Sequence, residues 1–105
     1  MIVREELGTA DLHEKINPTT YKGITSTLLK PTSGTYAGKC ATAALITVEA
    51  YPIRFRIDGT DATTSTGHLV SVGESITIVG GVNVNNFSCV DTAAGASSVY
   101  VTVFF

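Results

Sequence analysis

From residue 21 to the C-terminus, apolar and polar residues alternate with a period of two in short runs, and Gly, Pro, Ser and Asp fill the breaks. That pattern predicts half-buried antiparallel strands joined by turns. In CATAALITVEA, starting at Cys40, alternation puts Ala44, Ile46 and Val48 on one face and Leu45, Thr47 and Glu49 on the other, so the first face is core. The cleanest strand follows, with Ile53, Phe55 and Ile57 alternating with Arg54, Arg56 and Asp58. A polar loop from Gly59 to Gly67 precedes two runs, His68 to Val72 and Ser75 to Val79, which the Gly73-Glu74 turn makes a predicted hairpin.

Three further segments are less regular. A run near Ile24 to Leu29 reads as a first strand, ending in the breaker PTSGTYAGK with Pro31, Gly34 and Gly38. Between Val82 and Val90 the phase slips, since Val82 and Val84 share one parity and Phe87 and Cys89 the other. A β-bulge at Asn85-Asn86 would account for that slip. The last run has Val99, Val101, Val103 and Phe105 on one face and Tyr100, Thr102 and Phe104 on the other, both rather apolar. Such a strand either ends beneath a loop or the N-terminal segment of its own chain, or packs against another chain.

Residues 1–20 are the most polar part of the chain. Thr9 is placed to cap a short helical turn from Ala10 to Ile16, with Leu12 and Ile16 on one face and Asn17-Pro18 as the stop; an extended arm fits equally well. The expected organisation is an N-terminal arm over residues 1–20 and a single β-sandwich domain over 21–105. Its fold class is all-β, an antiparallel β-sandwich or jelly-roll-like domain of about six to eight strands.

Length and charge narrow the function. At 105 residues the chain fits one domain, and seven Lys and Arg against nine Asp and Glu provide no basic stripe for nucleic acid. The first thirty residues hold eight of the sixteen charges, whereas residues 75–105 hold only Asp91, so much of the C-terminal third is expected to be covered. No secretory h-region opens the chain and no run approaches the roughly 20 apolar residues that span a bilayer, so a soluble, cytosolically made protein is expected. Cys40 and Cys89, both in predicted strands, are then expected to be free thiols.

Little in the chain suggests catalysis. His13 and His68 are the two histidines, one in the arm and one opening a strand, and neither sits in a recognisable nucleophile motif. Paired carboxylates among Glu49, Asp58, Asp61 and Glu74 have no fixed separation, and tryptophan is absent, which weakens a sugar-platform reading. Asp58, Asp61 and nearby hydroxyls are a weak hard-cation pattern, and Asp58-Gly59 is an ordinary turn dipeptide. Arg54 and Arg56 project to the same side of one strand, either as a solvated face or as a grip on acidic groups of a partner. No enzymatic activity, cofactor or metal is expected.

The segment from Val48 onward resembles a group of small tailed-phage virion proteins. The residues that carry the likeness are the IRFRIDG strand (Ile53 to Gly59), the Thr-rich loop (Thr60 to Thr66), the Gly-His-Leu step (Gly67 to Leu69), the GESIT strand (Gly73 to Thr77) and the Val- and aromatic-rich end (Val99 to Phe105). The resemblance implies a virion protein made in the host cytoplasm, a capsid decoration or cement protein that bridges major capsid subunits, working as a homo-oligomer with a trimer favoured. Leu7 and Leu12 would then dock the arm on the shell, and Tyr100 and Phe104 would pack between copies. A head-to-tail or tail adaptor is the alternative within virions. A small ligand- or carbohydrate-binding module using the Asp58 to Gly67 loop with Arg54 and Arg56 is the alternative outside them. Neither nucleic acid nor a membrane is expected as a partner.

Overall fold

The computed structural model describes residues 10–18, 22–92 and 97–105. Two antiparallel sheets face each other and form an all-β sandwich. The larger sheet holds β1 (Ala10–Ile16), β7 (Ser98–Phe104), β2 (Ala43–Glu49) and β5 (Ser75–Val79) in that order. The smaller holds β4 (His68–Val70), β3 (Ile53–Arg56) and β6 (Ser88–Asp91). The described residues also hold two helical segments, α1 (Ser26–Leu29) between β1 and β2 and α2 (Gly81–Asn86) between β5 and β6.

The core is built by the inward residues of both sheets. Ile46 and Val48 from β2, Val99, Val101 and Val103 from β7, and Ile53 and Cys89 from the facing sheet are all within 1% of full burial. The alternation that marks Ala44, Ile46 and Val48 in the sequence is therefore the alternation that makes the core. In β3 the pattern holds less cleanly, because Ile53 is fully buried while Phe55 and Ile57 are half-buried.

Four segments differ from what their sequence pattern predicts. Residues 10–16 form an edge strand and not a helical turn: β1 pairs with β7 from Ala10↔Phe104 to Ile16↔Val99, so this part of the expected arm belongs to the sandwich. Cross-strand pairing satisfies the backbone there better than one unsupported turn of helix would. The run from Ile24 to Leu29 contains α1 in place of a strand, started by Thr25, whose N–H and Oγ1 both donate to the Glu14 carboxylate of β1 at 2.9 and 2.5 Å. Residues 68–79 do not form a hairpin. β4 pairs with β3 and β5 pairs with β2, so the Gly73-Glu74 turn carries the chain from one sheet to the other.

The fourth difference is α2, which replaces the predicted bulge. Gly80 (φ +103°) turns the chain out of β5, and Asn83 Nδ2 donates back to Val79 O at 2.9 Å. A strand would put Val82 and Val84 on one face. A helical turn separates them, leaving Val82 74% exposed and Val84 wholly buried, and it is this turn that reverses the parity before Phe87 and Cys89. Cys40 lies in the loop before β2 and is exposed; Cys89 in β6 is buried, and both are free.

The first crossing between the sheets, from β2 to β3, contains Ala50 at φ +74°, the one non-glycine residue in the left-handed region among those described. A Cβ there costs about 1–2 kcal/mol. Ala50→Gly is predicted to raise the urea midpoint by an amount worth roughly 0.5–1 kcal/mol, net of the added freedom of the unfolded chain; a lower midpoint would mean the turn carries no such strain.

Candidate functional site

The six residues singled out in the sequence do not converge. Leu7 lies outside the described residues. Leu12 of β1 is half-buried against the core and so serves the chain's own packing. Phe104 is 2% exposed and hence unavailable to pack between copies: by alternation it faces away from the main core, and the end of the sheet is already covered there, as the equally buried Ala43 beside it shows. Tyr100 is 40% exposed on that outer face, where its hydroxyl meets His13 Nδ1 at 2.6 Å and the rings stack at 5.5 Å.

Both arginines already have partners within the chain. Arg54 donates from Nε to Thr64 O at 3.2 Å and from Nη1 to Gly67 O at 3.0 Å, holding the 57–67 loop against β3. Gly67 is required at that point, since a Cβ on it would come within 2.9 Å of Phe55 O. Arg56 forms a two-point contact with Asp58, with Nε 3.1 Å from Oδ1. That guanidinium, helped by the Thr60 N–H, lowers the Asp58 carboxyl to about 2. The carboxylate once considered for a cation is thus engaged by a guanidinium and a backbone amide. Among the described residues no group of three His, Cys, Asp or Glu side chains could hold a metal.

The histidines are likewise engaged in ring contacts. His68 tilts against Phe55 at 5.2 Å, and His13 sits with Tyr100. Neither contact contains the nucleophile and orienting group that acyl transfer needs. Burial pushes the Cys89 thiol up to about 12, reinforced by the negative charge of Asp91, which leaves it with no thiolate to offer at neutral pH.

What does concentrate in one stretch of the chain is exposed apolar side chains. Among the described residues, four of the six large hydrophobic side chains left exposed, Leu69, Val72, Val79 and Val82, come from residues 69–82. Between His68 and Asp91 the only charged residue is Glu74, and its carboxylate accepts the Ser71 N–H at 2.7 Å within the turn. At the end of β5 an open groove of about 510 Å³ runs between α1 and α2, walled by Leu29, Ala41 and Val82 with Ser26, Lys30 and Asn85 also in its lining. Sequence reasoning identified a poorly charged C-terminal third but not this surface, because Val82 reads as a strand residue until α2 turns it outward.

Comparison of the chain with protein-family models, with curated proteins and with solved structures returns no match.

One buried group stands apart from this surface. Asp91 in β6 is 1% exposed and neither carboxylate oxygen has a hydrogen-bond partner among the described residues, although its N–H donates to Pro18 O at 2.9 Å. A carboxyl group buried there without a partner costs stability. Asp91→Asn, which keeps the shape and removes the charge, is predicted to raise the melting temperature at pH 7 by the equivalent of on the order of 1 kcal/mol; a fall would show that the carboxylate is paired.

Proposed function

We propose that this chain is a non-catalytic structural subunit of a phage particle, a decoration or cement protein that joins neighbouring subunits of the shell. The observation that carries it is the run of exposed apolar side chains in the weakly charged stretch from Leu69 to Val82, with Val82 74% exposed and Val79 59% exposed. A small domain that leaves side chains of that size in water gains stability when a neighbour covers them. The resemblance of the Ile53 to Gly59, Gly73 to Thr77 and Val99 to Phe105 segments to small virion proteins supplies the setting. The histidines, arginines and Asp58, all engaged with partners in the same chain, give the alternative of a sugar- or ligand-binding loop little to work with.

Many copies, each making a weak apolar contact, would hold a shell through multivalency. The direct test is addition of the purified chain to shells assembled without it. Saturable binding at a fixed number of copies per capsid subunit, with a raised shell melting temperature, is the expected result. Binding confined to the neck or tail would transfer the protein to an adaptor role, and no binding to any part of the particle would remove the virion reading.

A further inference from the structure

The edges of the two sheets are protected unequally. An edge strand exposes unpaired N–H and C=O groups, and stable proteins blunt it with charge, bulges, shortness or a covering segment. β1 carries Glu14 and Lys15 and has a register shift between Ala10 and His13. β4 is three residues long. β6 is covered, since Lys22 and Cys89 exchange backbone bonds at 2.8 Å and Asp91 N–H reaches Pro18 O. β5, Ser-Ile-Thr-Ile-Val, has five residues, no charge, no proline and no shift in its pairing with β2.

The register shows which groups of β5 are open. Val48 N–H donates to Glu74 O at 3.1 Å and Gly80 N–H donates to Thr42 O at 2.8 Å, so the even-numbered positions bond to β2. Alternation then turns the backbone groups of Ser75, Thr77 and Val79 away from β2. Of these, Val79 O accepts Asn83 Nδ2, and the others have no partner among the described residues.

The geometry points to a second copy of this chain as the occupant of that edge, with β5 pairing antiparallel to its own counterpart about a two-fold axis at Thr77. In this register Thr77 faces its copy's Thr77 and Ser75 faces Val79, joining two four-stranded sheets into one of eight. A two-fold contact places the central residue opposite itself, so a charge there would meet a like charge; of the edges described, β5 is the one with the length and neutrality to pair with itself. Pairing also covers Val79 with the neighbouring strand. The contact stands on the edge geometry alone and holds wherever the protein acts. It differs from a trimer, whose head-to-tail contact would need a second, different edge to receive β5.

The experiment is solution mass by light scattering over a concentration series, on the wild type and on Thr77→Lys and Thr77→Glu. Thr77 is half-buried on the outer face, where a long side chain reaches water. The wild type is expected at twice the 11.0 kDa chain mass. Each variant is expected at the single-chain mass, and an equimolar mixture of the two is expected to regain the doubled mass through Lys–Glu pairing across the axis. Ser75→Pro removes an outward N–H at the first strand position, where proline is tolerated, and is expected to weaken the dimer at least tenfold while keeping the far-UV spectrum of the wild type. A wild type that stays monomeric at its highest soluble concentration, a trimer, or a dimer that survives Thr77→Lys or Ser75→Pro unchanged would overturn the proposal.

Discussion

The sandwich depends on the pairing of β7 on both sides. Its seven residues bond to β2 from Ala43↔Phe104 to Glu49↔Ser98 and to β1 from Ala10↔Phe104 to Ile16↔Val99. Val99, Val101 and Val103 fill the core with no exposure at all. With partners along both edges, β7 is an interior strand of the larger sheet. The two partners of β7 lie about 50 and 90 positions away in sequence, so most of the pairing energy arrives only after long loops have closed.

That central position decides what the rest of the molecule presents. With β7 and β2 inside, the larger sheet ends in β1 on one side and β5 on the other. β1 carries Glu14 and Lys15, where Lys15 reaches Glu49 at 3.4 Å and Glu14 anchors Thr25. The uncharged β5 forms the opposite edge, and the groove between α1 and α2 opens at its end. Polar and apolar edges thus occupy opposite ends of one sheet, and the apolar one suits assembly.

The strands that alternate without interruption were legible in the sequence. Ala44, Ile46 and Val48 appear there as core, and they are. What could not be read was pairing and helical relief. His68 to Val72 and Ser75 to Val79 look like a hairpin because a turn separates them, yet each finds its partner elsewhere, since proximity in sequence says nothing about which sheet a strand joins. The slip at Asn85-Asn86 was visible, but bulge and helical turn change parity alike, and only the burial of Val84 with exposure of Val82 separates them. For the site the balance was reversed: Arg54, Arg56 and Phe104 looked available because their partners, two loop carbonyls, Asp58 and the covered sheet end, come from folding.

The central claim, that β5 is an open edge in one chain and a closed one in the assembled protein, is tested most directly by residue-resolved amide hydrogen exchange at low and high protein concentration. At low concentration Ile76 and Ile78, bonded to β2, should be protected while Ser75, Thr77 and Val79 exchange rapidly; at high concentration all five should be protected. Protection of Thr77 that is already complete at the lowest concentration, or rapid exchange that persists at the highest, would contradict the account.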